Sequence, residues 1–381
     1  MTAWRGARTV ERLRRITPLA EAAGDAEGSV TIVVPARDEA PRISACVDAL
    51  RAQTGPDVRI VVVDDASSDG TGEIVARHAD DDPRVMVVRG GGPPPGWSGK
   101  VAAMQTGLDA DRDARGRCGI APPEWLLFVD ADTLLAPDLL GRLRATAVQH
   151  GADLVSAAGT SPADGSAPAW SLLMPTGIVF IGEHADPQGR ARRAFAIGQC
   201  LLVRRERFAA VGGWVALRDR RTEDVLLATR VRDAGGRTRL VDAHGLVTTS
   251  GLDPFGAGWA SFRKTLVAAT ERSVPVLIGG GLTHTAMSLA GPVGVVCGLR
   301  YRRSTPAPGR SGRGRATALV AAGLLGWGGA AAAHHRAARL MRTRTALAPL
   351  APMIWALFGA VLLDGARVVL RGTAGWKGRD Q

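Results

Sequence analysis

The last third of the sequence contains three long stretches with no Asp, Glu, Lys or Arg. They cover residues 275–299, 316–333 and 345–363. A helix of about 20 apolar residues crosses the hydrocarbon core of a bilayer, and the second stretch is barely long enough to do so. A buried core helix could also lack charge, but three such stretches separated by arginine-rich loops favour a membrane. The sequence therefore predicts an α-helical membrane domain over residues 266–381.

The arginines that flank these stretches leave their orientation open. Six arginines lie within residues 300–315 and four within 336–344, at opposite ends of the second stretch. Because basic loops favour the cytoplasmic side, both loops cannot satisfy that rule if all three stretches span. Gly279-Gly280-Gly281 and Pro292 leave the first stretch open to a re-entrant or interfacial placement.

The net charge of +12 could indicate a nucleic-acid partner or basic membrane boundaries. We favour the second interpretation, with no nucleic acid, because the arginines flank apolar stretches and the chain has a single Tyr for stacking bases. The four cysteines are too far apart for a CxxC pair, which suits reduced thiols in a cytosol-facing protein. Residues 1–28 lack an apolar core and predict a basic surface arm rather than a signal peptide.

The first 160 residues alternate between short β-branched runs and segments with helical spacing of apolar residues. The predicted strands cover residues 30–34, 59–63, 84–88, 125–129 and 153–157. The predicted helices cover residues 41–53, 71–78 and 100–108, and a fourth begins near residue 137. This alternation predicts an α/β fold with a mainly parallel sheet and helices on both faces. Ligands of such sheets bind beyond the carboxyl ends of the strands, so polar residues there are the candidates for function.

Two acidic pairs follow predicted strands. Asp64 and Asp65 end the second strand and could accept hydrogen bonds from a nucleobase or a ribose. Asp69-Gly70-Thr71, a little further on, suits a helix cap with a turn glycine. Asp130 and Asp132 follow the fourth strand, and two carboxylates one residue apart could hold a hard cation and leave positions for phosphate oxygens.

Two further features stand at predicted helix starts. Glu223 and Asp224 precede the apolar helix at residues 225–231, where they could serve the helix dipole or supply a general base. Lys100 follows the segment Pro95-Gly96-Trp97-Ser98-Gly99 and could meet a phosphate at the start of its helix. The spacing is not that of a P-loop, which argues against ATP.

Taken together and in this order, these elements resemble the family-2 glycosyltransferases of GT-A fold. The resemblance covers residues 30 to about 265 and rests on Pro35-Ala36-Arg37-Asp38-Glu39, on residues 63–71, on Asp130-Ala131-Asp132 and on Thr222-Glu223-Asp224. The segments 95–100 and 198–214 look closer to hopanoid-associated and ceramide-glucosyltransferase-like members. The stretch Trp259-Ala260-Ser261-Phe262-Arg263 lacks the order Gln-x-x-Arg-Trp of processive synthases, which favours a single transfer to a lipid.

The resemblance implies the following roles. An inverting transfer from a nucleotide-sugar, UDP-linked by preference, to a hydroxyl of a lipid or lipid-like acceptor would use Asp224 as base, with Glu223 in support. Asp132 would bind Mg²⁺ or Mn²⁺, and Asp130 would reach the ribose or the metal's water shell. The nucleotide-sugar would also meet Pro35, Glu39, Asp64, Asp65 and Lys100. His244, after the predicted strand 239–241, is a further metal or phosphate candidate, although a lone His is more often structural.

The predicted organisation is an arm over residues 1–28, a GT-A domain over 29–265 and the membrane domain over 266–381, in a multi-pass protein of the cell membrane whose catalytic domain faces the cytoplasm. Two alternatives remain. A nucleotidyltransferase would share the sheet and the acidic metal ligands, but would not need Glu223 and Asp224 ahead of a membrane domain. A non-catalytic sensor could keep the fold to bind nucleotide-sugars.

Overall fold

The computed structural model describes residues 16–21, 28–54, 57–160, 168–182, 194–220, 222–250, 254–304, 310–372, 375–376 and 379–380. Most of the predicted arm, residues 1–15 and 22–27, lies outside this description. The strands are β1 Thr17–Pro18, β2 Val30–Ala36, β3 Val58–Asp65, β4 Val85–Gly90, β5 Trp125–Val129, β6 Thr133–Leu135, β7 Leu154–Ala158, β8 Cys200–Arg204, β9 Thr238–Asp242, β10 Val247–Thr249, β11 Gly375–Trp376 and β12 Arg379–Asp380. The helices of the first 250 residues are α1 Ala40–Arg51, α2 Thr71–Asp81, α3 Gly99–Cys118, α4 Leu139–His150, α5 Pro168–Gly182, α6 Arg205–Ala210 and α7 Glu223–Asp233. The later helices are α8 Phe255–Ala269, α9 Val274–Ser304, α10 Arg310–Leu340 and α11 Ala351–Leu370.

An eight-stranded sheet in the order β1-β9-β7-β8-β5-β2-β3-β4 forms the centre of the first 250 residues. Every neighbouring pair is parallel except the two made by β8, which runs antiparallel to β5 and to β7. Buried aliphatic residues of β2, β3 and β5 face helices on both sides of the sheet. The α/β fold with a mainly parallel sheet is thus confirmed. The reversed strand β8 was not predicted, because a short apolar run does not reveal its direction or even its state.

A buried polar network ties α3 to the beginning of the sheet. The carboxylate of Asp111 accepts hydrogen bonds from the Thr31 hydroxyl at 2.8 Å and from Arg115 Nε at 3.0 Å. Arg59 Nε lies 3.0 Å from the other oxygen of Asp111. Asp111 and Arg115 are almost fully buried, so each charge depends on the other for compensation.

We expect Asp111→Ala to destabilise the protein by about 3 kcal/mol, because it leaves the buried Arg115 guanidinium without its carboxylate. For a chain of this size, that corresponds to a fall in Tm of about 6–12 °C. Thermal unfolding of the detergent-solubilised full chain, followed by tryptophan fluorescence, measures it. Asp109→Ala, which removes an exposed carboxylate of the same helix, is the matched control and should leave Tm nearly unchanged. Equal Tm values for the two variants would contradict the role of the network.

By its internal contacts the chain divides into two compact units. The sheet unit contains Arg15–Ala163, Ala185–Gly251 and Gly375–Gln381, and the helical unit contains Met1–Arg14, Asp164–His184 and Leu252–Ala374. Residues 168–182 and 255–265 were predicted to belong to the GT-A domain, whereas by their contacts α5 and α8 are grouped with the C-terminal helices. Trp170 of α5 shows why: its indole donates a hydrogen bond of 3.3 Å to the carbonyl of Met341, and its ring joins the apolar cluster of that unit.

Three helical segments of the helical unit have the length and the apolar composition to cross a membrane. They are Val274–Arg303, Gly312–Leu340 and Thr345–Leu370. The first is one continuous helix through Pro292. The sequence had left an interruption at Gly279-Gly280-Gly281 or at Pro292 possible, and neither interrupts the helix. The third begins as a 3-10 helix, Thr345–Leu350, and becomes α-helical from Ala351.

Candidate active site

The acidic residues singled out from the sequence converge at the carboxyl ends of β2, β3 and β5. Asp130 and Asp132 occupy the turn between β5 and β6. Backbone hydrogen bonds fix this turn: the amide of Asp130 donates to the carbonyl of Gln199 at 3.2 Å, and the amide of Ser250 donates to the carbonyl of Asp132 at 3.2 Å. Because β8 runs antiparallel, its beginning, next to Gln199, lies at the same edge of the sheet as the end of β5.

Lys100 connects two of the predicted acidic elements. Its Nζ lies 2.7 Å from Asp130 Oδ1 and 3.1 Å from Glu223 Oε1. Burial alone would lower the pKa of the Lys100 ammonium, but the carboxylates of Asp130 and Glu223 outweigh it, so the pKa is raised. Lys100 therefore stays positively charged at every physiological pH and holds α3, the β5–β6 turn and α7 together.

Asp224 lies beside this ion pair. Its Oδ1 accepts a hydrogen bond of 2.8 Å from the amide of Val225, and the amide of Gly198 is a further donor. Burial and then the charge of Glu223 raise the pKa of Asp224 to about 7, against the opposing effects of Lys100 and the two amides. A carboxylate in this state can take up a proton near neutral pH, as a general base requires.

Gly198 is packed directly over this group. A Cβ atom at this position would lie 3.1 Å from Lys100 Nζ and 3.2 Å from Asp224 Oδ2. A side chain at this position would require the charged groups of Lys100 and Asp224 to shift by a few tenths of an ångström, which favours a glycine just before β8.

The start of α7 is positioned by an aromatic cluster under the site. Gly212 and Gly213 adopt φ of +85° and +54°, and the turn that they form delivers the buried Trp214 to the face of the sheet. The Trp214 ring lies 4.8 Å from Phe128 of β5 and 5.3 Å from Phe208 of α6, between centroids. Through this packing, the Gly-Gly-Trp sequence holds the acidic pair Glu223 and Asp224 against β5.

Asp132 lies in the most acidic part of the site. Burial raises the pKa of its carboxyl group, and the neighbouring charges of Asp130 and Glu39 raise it further. The hydroxyl of Thr249 and the charge of Arg42 act in the opposite direction. Crowded carboxylates of this kind fit a divalent cation, which would relieve their mutual repulsion.

Protein side chains alone do not complete a metal site. Within the described residues, no group of three or more His, Cys, Asp or Glu side chains is arranged to hold a metal ion. The donor set that fits is therefore the pair Asp130 and Asp132, with the remaining ligands from phosphate oxygens and water, as Mg²⁺ often prefers.

Asp64 and Asp65 are both nearly buried at the end of β3. Asp64 Oδ1 accepts the amide of Ser67 at 3.1 Å, and Arg37 donates to the carbonyl of Asp65 at 3.0 Å. Arg37 NH1 also lies 3.9 Å from Asp65 Oδ2. Both carboxylates thus belong to a loop that hydrogen bonds hold in place at the end of β3.

Asp69 has the capping role that its sequence suggested. It accepts the amides of Ala40 at 2.9 Å and Thr71 at 3.1 Å, which are the first residues of α1 and α2. Burial opposes a low pKa, but the Thr71 hydroxyl and these amides prevail, so the pKa of Asp69 is lowered. Glu39 is fixed nearby, since its amide donates to the Thr71 hydroxyl at 2.9 Å and its carboxylate lies 3.3 Å from Arg42. Pro35 is paired with Val63 inside the sheet.

His244 lies in the turn between β9 and β10. Its Nδ1 is hydrogen-bonded to the carboxylate of Asp242, and its side chain is only 4% exposed. Among the residues that the structure describes, none is hydrogen-bonded to Nε2. The Asp242 contact therefore fixes the orientation of the His244 ring, whose role as a metal or phosphate contact stays a prediction.

Residues 31–212 match the family described as Glycosyl transferase family 2. The chain carries a family 2 glycosyltransferase domain. The resemblance proposed from the sequence is thereby confirmed at the level of the family. Glu223 and Asp224 lie beyond the matched residues. Lys100, which lies within the match, connects Glu223 to Asp130 through its two ion pairs.

Curated relatives match only part of the chain. The succinoglycan biosynthesis protein ExoA of Rhizobium meliloti is 29% identical over 220 residues, which are 58% of this chain and 62% of that protein. The uncharacterized glycosyltransferase EpsJ of Bacillus subtilis is 32% identical over 126 residues, which are 33% of this chain and 32% of that protein. The chain thus matches less than two thirds of the length of these relatives.

A solved structure extends the likeness of fold to nearly the whole chain. A mannosyltransferase of Pyrobaculum calidifontis, solved in complex with GDP-Man and Mn²⁺, has a TM-score of 0.54 and 21% identity. The match covers 97% of this chain and 93% of that one. The two proteins thus share their fold over nearly the whole of both chains.

The sequence missed several residues that shape the site of the family 2 domain. Gly198, Thr249, Arg37 and Arg42 all touch or face the predicted acidic groups. Arg37 lies within the motif at residues 35–39 that suggested Glu39, so its position in that motif could have indicated that it belongs to the site. Thr249 reaches Asp132 through the antiparallel pairing of β10 with β6. No local sequence pattern predicts such a long-range contact.

Proposed function

We propose that the chain transfers a sugar from a nucleotide-sugar to a hydroxyl of a lipid or lipid-like acceptor, with inversion at the anomeric carbon. The observation that carries the proposal is Asp224, whose buried carboxylate has a pKa of about 7 and lies among the ion pairs of Lys100. A base with a pKa near the working pH takes a proton from the acceptor hydroxyl most effectively. Proton removal by Asp224 as the hydroxyl attacks supports a single displacement, and hence inversion.

Lys100 is the residue that we assign to the donor diphosphate. Its ammonium stands at the start of α3 beside the carboxylates of the proposed metal site, where the charge of a leaving diphosphate would develop. Asp65, and to a lesser extent Asp64, would accept hydrogen bonds from the nucleotide, for which we favour UDP. Pro35 and Glu39 would line the same pocket.

Asp132, assisted by Asp130, would hold Mg²⁺ or Mn²⁺. The bound cation would neutralise charge that develops on the leaving diphosphate. Two features support this assignment: the carboxylate crowding that raises the pKa of Asp132, and the Mn²⁺ in the mannosyltransferase of similar fold. His244 is a further candidate contact, because its buried Nε2 is oriented by Asp242.

We expect Asp132→Asn to abolish metal-dependent nucleotide binding and to leave the fold intact. The amide retains the shape of the side chain but loses the charge that a hard cation requires. Titration of UDP with and without Mn²⁺ measures the effect, and the thermal unfolding curve checks the fold. Asp113→Asn, on the exposed face of α3, is the control and should bind as the parent does. Parent-like binding by Asp132→Asn would refute the metal assignment.

The helices that could span a membrane favour a lipid acceptor and a protein of the cell membrane whose catalytic domain faces the cytoplasm. The absence of the Gln-x-x-Arg-Trp order at residues 259–263 favours one transfer over processive polymerisation. A hopanoid-associated role rests on the motifs at residues 95–100 and 198–214.

The decisive experiment incubates the purified full chain with labelled nucleotide-sugars, lipid acceptors and Mn²⁺ or Mg²⁺. Appearance of label in the lipid phase, with release of the nucleoside diphosphate, supports the proposal. Release of pyrophosphate from a nucleoside triphosphate and a sugar phosphate would indicate a nucleotidyltransferase instead. Binding of a nucleotide-sugar without turnover on any acceptor would indicate a sensor.

A further inference from the structure

Helices α9 and α11 pack against each other in opposite directions. A Cβ atom on Gly281 of α9 would lie 2.8 Å from Leu363 Cγ, and one on Gly365 of α11 would lie 3.4 Å from Leu277 Cδ2. Later residues of α9 therefore contact earlier residues of α11. The final turns of α11 therefore lie beside the first turns of α9.

Helices α9 and α10 are also antiparallel, and their backbones come close together. A Cβ atom on Gly291 would lie 2.9 Å from the amide nitrogen of Trp327, and one on Gly298 would lie 3.0 Å from the carbonyl oxygen of Ala316. The end of α9 is thus beside the beginning of α10. Glycines at such positions allow the close approach that is common between helices in membranes.

Since α10 and α11 are each antiparallel to α9, they run parallel to each other. The indole of Trp327 donates a hydrogen bond of 2.8 Å to the carbonyl of Pro349, just before α11 begins. Ala330 and Ala333 share an apolar cluster with residues 351, 354 and 355. Trp327 stands 13 residues before the end of α10 at Leu340, so α11 begins about 20 Å back from that end.

We propose that Thr345–Leu350 and α11 form a re-entrant element that enters the membrane to the level of Trp327 and returns to the side from which it came. Of the helices that the structure describes, α9 and α10 then cross the membrane and α11 does not. The 3-10 helix carries the chain inward beside α10, and α11 carries it out again. The third apolar stretch, although long enough to span, stops short of the opposite surface of the membrane.

A polar cluster marks where α11 leaves the membrane. Asp364 Oδ2 accepts hydrogen bonds from the Trp259 indole at 2.9 Å and from Arg263 at 2.8 Å, and Arg367 Nε lies 2.8 Å from Asp364 Oδ1. Charged groups avoid the hydrocarbon core, and Trp prefers the interface. Because Trp259 and Arg263 belong to α8, which precedes α9, α11 ends on the side where α9 begins.

The re-entrant element also shifts the balance of basic residues between the two sides of the membrane, because it places the end of α11 on the side where α9 begins. With two crossings, the side where α9 begins holds residues 336–344 and the end of α11, and the other side holds the end of α9 and the beginning of α10. The first side carries more basic residues: Arg263, Lys264, Arg272, Arg336, Arg339, Arg342, Arg344, Arg367 and Arg371. The positive-inside rule then assigns that side to the cytoplasm.

Single cysteines at three positions test this topology in the full-length protein. The exposed Cys118 and Cys297 are first replaced by Ser, and Arg302→Cys, Arg342→Cys and Arg371→Cys are made one at a time. Sealed vesicles of known orientation are treated with a membrane-impermeant maleimide. We expect labelling of residues 342 and 371 from the same side and of residue 302 from the opposite side. Labelling of 342 and 371 from opposite sides, or of all three from one side, would overturn the proposal.

Depth provides a second readout that does not depend on loop accessibility. Leu350 and Leu370 are 47% and 68% exposed, so a nitroxide label at either position leaves the packing undisturbed. The re-entrant element predicts a label deep in the bilayer at residue 350 and a shallow one at 370. A spanning helix over Thr345–Leu370 would place both labels near opposite surfaces, and shallow positions for both would refute re-entry.

Discussion

Replacement of Asp224 by Asn is expected to lower the rate of sugar transfer by about 10²–10⁴-fold. The amide keeps the shape of the side chain but cannot take the proton of the acceptor hydroxyl. Donor affinity should remain near that of the parent, because the diphosphate is assigned to Lys100 and the metal site. Separate measurements of donor Kd and single-turnover rate resolve the two effects.

Two further variants sharpen this experiment. Asp233→Asn changes an exposed carboxylate at the other end of α7 and should transfer sugar at the parent rate. Glu223→Gln should reduce the rate less than Asp224→Asn. A larger loss for Glu223→Gln would exchange the roles of the two residues, and a loss confined to donor binding in Asp224→Asn would place the base elsewhere.

The charge of Lys100 predicts a second large effect. Lys100→Met should weaken donor binding about ten- to hundredfold, because a hydrogen bond to a charged group contributes roughly 1.5–3 kcal/mol. Isothermal titration with the nucleoside diphosphate in Mn²⁺ measures the loss. Lys264→Met, an exposed lysine of α8, is the matched control. Unchanged donor affinity in Lys100→Met would exclude the diphosphate role.

The same variant should alter the pH profile. Asp224 must be deprotonated to act as base, so kcat/KM should rise with pH through about 7. Lys100 opposes the raised pKa of Asp224 and Glu223 contributes to it. The acidic limb should therefore move to higher pH in Lys100→Met and to lower pH in Glu223→Gln. Shifts in the same direction would show that these residues do not act on Asp224 through their charge.

The sequence was most informative where function depends on local order along the chain. Each of the main acidic residues follows a strand or begins a helix: Asp130, Asp132, Glu223 and Asp224. The carboxyl ends of parallel strands meet at one edge of the sheet. The ion pairs of Lys100 with Asp130 and Glu223 could not be predicted, because three distant segments must meet to form them.

The helical unit shows which features of a membrane helix hydropathy does not predict. The three uncharged stretches predicted apolar helices, but hydropathy reports the length of a helix and not where it begins in depth. The start of α11 beside Trp327 is decided by the Trp327–Pro349 hydrogen bond and by small residues of α10. Likewise, α5 is only 15 residues long and follows strand β7 in sequence, so nothing local indicated that it packs with the C-terminal helices.

The reversed direction of β8 has a consequence for how such a site is assembled. The parallel strands contribute the residues that follow them, whereas β8 contributes the residues that precede it, including Gly198 and Gln199. Gly198 adjoins Asp224, whereas the carbonyl of Gln199 holds the turn that carries Asp130 and Asp132, so two neighbouring residues of one segment serve different parts of the site.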